Sequence, residues 1–346
     1  MQVNYTSQGK IHNSDIFIFT LTNTNGSVAT ITNYGAIVMG LQIVNGNQKL
    51  QDVVLGFDTV QQYLQPAYKA AYPYFGAVIG RTANRIKNGV FTLNNTKYQL
   101  ALNLPPNNLH GGLRGFDSEV WQLTAHGETP NPFVTFTHIS PAGNEGYPGE
   151  VTTTITYTLA ANELTYTITA TTSEPTIINC TQHTYFNLNV TNKSIANHTV
   201  QINATQYLEQ DETMNPTGKL LPTANTIYDF EKPKLIMEDW DSENGYDQSF
   251  VLPTTALSMQ LAAKCTVGDI TIQVRTNQAT LHLYTGRWIP AVIGKNGVTY
   301  GAYSGLCFET QAHANGINIP TFPTSILLPN QTYIHSTSYS FITTLH

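Results

Sequence analysis

The run Val151-Thr152-Thr153-Thr154-Ile155-Thr156-Tyr157-Thr158-Leu159 alternates apolar or aromatic residues with threonine, and Leu164-Thr165-Tyr166-Thr167-Ile168-Thr169-Ala170 repeats the pattern after a short break. A period of two is the signature of a strand with one buried and one wet face. Threonine suits the wet face because it fits the pleat and tolerates water. The break, Ala161-Asn162, reads as a hairpin tip, as do Asn94-Asn95 and Asn45-Gly46. Working outward, Val134-Thr135-Phe136-Thr137, Ile16-Phe17-Ile18-Phe19 and Val28-Ala29-Thr30-Ile31-Thr32 carry the same strand character. The helix-like stretch Asp58–Leu64 is interrupted by Pro66. No composition shift marks a linker, and no fixed-period repeat suggests a propeller or solenoid. The expected fold is all-β: one large antiparallel β-sandwich domain spanning residues 1–346.

Composition narrows the function. The chain has 346 residues, 41% of them hydrophobic and only 11% charged, with a formal net charge of −6. Such a chain has ample core and lacks the clustered lysine and arginine that phosphate contacts require, so no nucleic-acid role is expected. No apolar run approaches the roughly 18 residues of a membrane helix, so no membrane span is expected. The start Met1-Gln2-Val3-Asn4 carries no basic and apolar leader pattern. A cytoplasmic location is the expectation, with a secreted mature form as the alternative. Cys180, Cys265 and Cys307 lie far apart and read as small core residues, not as a disulfide framework.

Five fragments carry candidate chemistry. Gly80-Arg81-Thr82-Ala83-Asn84-Arg85-Ile86 sets two arginines four apart in a chain with few cations. They read as forks for hydroxyls or carboxylates, or as surface residues beside a hairpin. Leu109-His110-Gly111-Gly112 puts a histidine before two glycines that permit close backbone approach, or else a structural histidine on a turn. In Gln182-His183-Thr184-Tyr185-Phe186-Asn187-Leu188, a histidine sits among aromatics that suit a sugar's C–H face and amides that suit its hydroxyls. A core histidine satisfied by a carbonyl is the plain alternative. Tyr246-Asp247-Gln248-Ser249-Phe250 offers a carboxylate at a strand start, where turn chemistry alone often places aspartate. Leu306-Cys307-Phe308-Glu309-Thr310-Gln311 embeds a glutamate in an apolar strand, which makes it either a paired structural carboxylate or a base.

Taken in order along the chain, NRI, LHGG, HTYFNL, YDQSF and FETQ resemble the aldose 1-epimerase (galactose mutarotase) family. The likeness extends over residues 12 to 343, through Asn33-Tyr34-Gly35-Ala36, Asp52-Val53-Val54-Leu55-Gly56-Phe57 and Tyr284-Thr285-Gly286. It implies a β-supersandwich that interconverts the α and β anomers of free aldoses such as galactose and glucose, as a monomer or homodimer. It implies Glu309 as the catalytic base and His183 as the catalytic acid. It implies Asn84, Arg85, His110, Asp247, His282 and Gln311 as substrate-binding positions, with Gln311 on the strand face of Glu309 and able to position it. No metal and no organic cofactor is implied. Three places depart from the family pattern. His282 stands where a glutamine is common, Arg287 where an asparagine is common, and Ala312-His313-Ala314-Asn315 lacks the usual Pro-Asp pair.

Anomerisation moves one proton off O1 and another onto the ring oxygen, so one base and one acid on opposite sides of the ring suffice. Four rival readings use the same residues. A glycoside hydrolase would pair Asp247 with Glu309. A phosphosugar epimerase would draw on Arg81, Arg114 and Arg287. A non-catalytic carbohydrate-binding sandwich would need neither Glu309 nor His183. A metal protein would use His110, His183, His282 and Glu309.

Overall fold

In the computed structural model, residues 1–189, 193–241, 243–253 and 258–344 are described. The expected sandwich is present. A nine-stranded antiparallel sheet runs in the order Gln122–Gly127, Phe133–Ser140, Val151–Ala160, Glu163–Thr172, Tyr333–Thr343, Ile270–Thr276, Gln260–Val267, Thr199–Ile202 and Lys234–Leu235. A six-stranded sheet runs Tyr185–Phe186, Leu306–Gln311, Thr280–Tyr284, Asp247–Val251, Gln206–Gln210 and Pro216–Pro222. The N-terminal strands, from Gln2–Ile11 to Leu50–Asp52, form a five-stranded sheet in sequence order.

The threonine alternation decides which face turns inward. Along Val151–Ala160, residues Val151, Ile155, Tyr157 and Leu159 are buried, while Thr152, Thr154, Thr156 and Thr158 are partly exposed. Ile155 lies opposite Phe136 and Ile168 in register. On the outer face the threonines join across strands, Thr135 to Thr156 and Thr137 to Thr154 at 2.9 Å. The three cysteines are free and buried. All three hairpin tips lie where the pattern puts them, between residues 93 and 96, 44 and 50, and 160 and 163.

The helical reading needs correction at Pro66. Val60–Leu64 is a 3-10 turn, and Pro66 opens the α-helix Pro66–Ala71 instead of ending one. The missing N–H of proline is not required in a first turn.

The six-stranded sheet is covered on both sides, which explains why Leu306–Gln311 is buried at all six residues. Leu306 and Phe308 pack into the main core with Phe186, Phe250, Leu281 and Leu283. Thr310 follows them, and its hydroxyl meets Thr337 at 2.6 Å and His335 at 2.9 Å on the nine-stranded sheet. By alternation Cys307, Glu309 and Gln311 face the other way. Register then sets Ser249, His282 and Glu309 side by side on that face.

Arg81, one of the two arginines four apart, belongs to the scaffold. It is 1% exposed, and its guanidinium donates to Ser140 Oγ and to the carbonyls of Ser140, Pro141 and Pro148 at 2.8–2.9 Å. Burial pulls its pKa down to about 10. Replacing Arg81 with leucine strands the buried carbonyls of Ser140 and Pro148, so the Arg81→Leu variant should lose about 3 kcal/mol or more of stability by urea denaturation.

Candidate active site

The cleft has a volume of about 460 Å³ and opens on the face of the six-stranded sheet that carries Glu309. Its floor is sheet and its walls are loops. Asn84, Arg85, His110, His183, Asp247, His282 and Glu309 all line it. Gln311 does not. It is fully buried one row further along the strand, and neither of its amide atoms has a hydrogen-bond partner among the described residues, so it makes no bond to Glu309.

Two glycine-bearing loops are pressed together to make one wall. Gly111 has φ +93°, and a Cβ there would meet the Gly80 carbonyl oxygen at 2.0 Å. Only glycine allows that approach. The contact carries the segment after Gly80 against the LHGG turn, where Leu109 pairs with Arg85 in a short antiparallel ladder. His110 N–H donates to the Asn84 carbonyl at 3.0 Å, and Asn84 N–H donates to His110 Nδ1 at 3.2 Å. A backbone N–H can only donate, so Nδ1 holds a lone pair and Nε2 carries the proton. Burial, then the neighbouring His183 and Arg85, push the His110 pKa well below the ordinary imidazole value. His110 is therefore a neutral donor.

His183 is clamped through its backbone, donating to Ala77 O at 2.9 Å and accepting from Gly76 N–H at 3.0 Å. Its Nε2 lies 3.5 Å from Glu309 Oε1, and both side chains are almost wholly buried. Tyr185 and Tyr74 flank the ring, with centroids at 5.0 and 5.8 Å. Glu309 Oε2 has no hydrogen-bond partner among the described residues. Burial lowers the His183 pKa, and Glu309 opposes that shift without overcoming it. Asp247 adds a smaller push in the same direction, so both carboxylates favour the protonated ring while desolvation sets the sign of the net shift.

On the opposite side, Asp247 Oδ1 accepts from His282 Nε2 at 2.8 Å, and Oδ2 lies 4.0 Å from Arg85 Nη2. Burial alone would raise the Asp247 carboxyl, but the His282 hydrogen bond and the Arg85 charge outweigh it and hold it below the usual range. Asp247 is an anion that accepts hydrogen bonds, a poor choice for a proton donor.

His110, His183 and Glu309 bring ligand atoms within 4.8 Å of one another. The His110 tautomer speaks against a metal site there. Nδ1 already accepts from Asn84 and Nε2 carries a proton, so neither nitrogen has a lone pair to give. The other arginines considered for a phosphate are outside the cleft lining. Arg114 pairs with Glu119 at 2.7 Å, and Arg287 lies over the Trp288 ring at 4.5 Å.

Motif reasoning missed several groups at the cleft. Tyr74 lines it in a left-handed conformation with φ 58°, and Tyr72, Tyr284 and Met214 join it. The dense aromatic string Tyr72-Pro73-Tyr74-Phe75 was the available signal. Ser249, inside the YDQSF fragment, bonds His282 Nδ1 at 2.8 Å.

The fold is that of the galactose mutarotase-like sandwiches. The aldose epimerase homologue from C. elegans aligns with TM-score 0.86 and 28% identity, covering 94% of this chain and 99% of that one. The galactose 1-epimerase from Lactobacillus acidophilus NCFM aligns with TM-score 0.85 and 27% identity over 99% of both chains. In sequence, the galactose mutarotase of Sus scrofa is 38% identical over 318 residues, 90% of each chain. The aldose 1-epimerase family model matches residues 18–340, and the chain belongs to that family.

The His183–Glu309 contact makes a signed prediction. Glu309 is the largest of the influences that raise the His183 pKa against burial. In an NMR titration the His183 ring should titrate below the ordinary imidazole value, and Glu309→Gln should move its midpoint lower still. An unchanged or higher midpoint in the variant would break the electrostatic assignment.

Proposed function

We propose that this protein is an aldose 1-epimerase, an isomerase that interconverts the α and β anomers of free hexoses such as galactose and glucose. The observation that supports this most strongly is the buried Glu309–His183 pair at 3.5 Å, with Glu309 Oε2 unpartnered among the described residues at the cleft. That contact corrects the expectation of a base and an acid on opposite sides of the ring: the two groups stand side by side, and because O1 and O5 are both bonded to C1, neighbouring groups can serve both oxygens. Glu309 takes the proton from the anomeric O1–H as the C1–O5 bond breaks. His183, protonated at Nε2, gives its proton to O5. Rotation about C1–C2 presents the other face of the aldehyde, and the same two transfers run backward on closure. The working pair holds one proton throughout, first on His183 and then on Glu309. The lowered His183 pKa makes its protonated form the stronger acid. His110, neutral and donating through Nε2, holds a sugar oxygen. Asn84, Arg85 and Asp247 hold ring hydroxyls. No cofactor takes part in these steps.

A glycoside hydrolase is the less favoured reading, because its acid carboxyl needs a raised pKa and that of Asp247 is depressed. A phosphosugar substrate is disfavoured by the interior position of Arg81. We read the chain as one catalytic domain of the cytoplasm, working as a monomer or homodimer. No helix among the described residues is long and apolar enough to cross a membrane.

Polarimetry of freshly dissolved α-D-galactose and α-D-glucose tests the proposal. Added protein should speed the approach to rotational equilibrium. Glu309→Gln should cut kcat by about 10²–10⁴-fold, while Asp247→Ala should act mainly on KM. Near-wild-type turnover by Glu309→Gln would refute the base assignment.

A further inference from the structure

The sequence marks His282 as a sugar-binding position, but its hydrogen bonds assign it different work. The ring belongs to Thr280–Tyr284, between the strands that carry Glu309 and Asp247, and register sets it opposite Ser249 on one side and Glu309 on the other. Asp247 and Ser249 lie two apart on the same strand, so their side chains leave the sheet on one face and the imidazole spans the gap between them. A carboxylate only accepts, so Nε2–H donates to Asp247 Oδ1 at 2.8 Å. Nδ1 meets the Ser249 hydroxyl, also at 2.8 Å. Both ring nitrogens are engaged, and the side chain is 4% exposed. No polar atom of His282 remains for a sugar hydroxyl. Asp247 is different: its side chain is 19% exposed, and Oδ1 takes the His282 hydrogen bond while Oδ2 has only the longer 4.0 Å ion pair with Arg85 at the cleft.

We infer that His282 is a positioning residue: braced by Ser249, it fixes the carboxylate of Asp247 in the one orientation that accepts a sugar hydroxyl, and so sets affinity and hydroxyl specificity without touching substrate. The inference rests on the reading of Asp247 as a sugar ligand. A carboxylate free to turn about χ1 and χ2 loses part of its binding to rotamer entropy, and a charged hydrogen bond from a buried imidazole removes that freedom.

A double-mutant cycle on KM for α-D-galactose tests it, with a crystal structure of each variant. His282→Leu should raise KM about 10-fold or more, the size of one lost hydrogen bond to a charged group, with kcat within about 3-fold of wild type. Ser249→Ala should raise KM by the smaller factor of a neutral bond, about 2–10-fold, and keeps the test open if His282→Leu folds poorly. In an Asp247→Asn background either change should have little further effect. Among deoxygalactoses, the analogue that is indifferent to Asp247→Asn should be indifferent to His282→Leu as well. The structure of His282→Leu should show the Asp247 carboxylate turned from its place. A carboxylate that stays put, full additivity with Asp247→Asn, or a fall in kcat at constant KM would each overturn the inference. If Asp247→Asn alone leaves KM unchanged, the sugar-binding reading of Asp247 fails and takes the inference with it, an outcome the single variant identifies by itself.

Discussion

The pairing of Thr280–Tyr284 with Leu306–Gln311 is the constraint on which the cleft depends. With His282 opposite Glu309, and Ser249 opposite His282, three polar side chains form a row on one face of a sheet whose other face is largely apolar. A slip of one residue would send Glu309 into the main core and Phe308 into the cleft. The core prevents that slip. Leu306 and Phe308 fill space between the two sheets, and Thr310 is bound to Thr337 and His335 across it. Moving any of them costs buried apolar area and leaves polar atoms unpaired. The position of the proposed base is thus held from behind, by residues that never meet the sugar.

Burial gives each charged group at the site a different character. Glu309 and His183 share one enclosed contact, and desolvation there works against a charged imidazole. Asp247 is also enclosed but has two cationic or donating neighbours, so it remains an anion. The same low-dielectric surroundings therefore hold the proposed proton-transferring pair on one side and the proposed fixed acceptor on the other. What separates them is the number of partners, which is two for Asp247 and one for Glu309.

The fold was legible because alternation is a local signal, repeated over ten residues in Val151–Ala160 and again in Glu163–Thr172. Pro66 was misread because proline both ends and begins helices, and the chain alone does not show which. The site was partly legible. Odd residues in apolar runs, such as Glu309 and His183, pointed to the cleft because burying a polar side chain needs a reason. Residue type could not tell Arg81 from Arg85, four positions apart, since both are arginines beside tight turns. One fills the scaffold and the other lines the cleft. Gln311 shares the strand face of Glu309 but sits one row past the cleft, a matter of reach that spacing does not encode. Nor could spacing show that both nitrogens of His282 are already engaged.

The amide of Asn84 facing His110 Nδ1 has a further consequence. Histidine normally offers chemistry three forms, the imidazolium and two neutral tautomers. Here the main-chain N–H and burial have removed two of the three, leaving a ring that acts only as an Nε2–H donor. An inhibitor seeking this cleft should therefore present an acceptor to that ring, and a compound designed around an imidazolium contact would find no charge to meet.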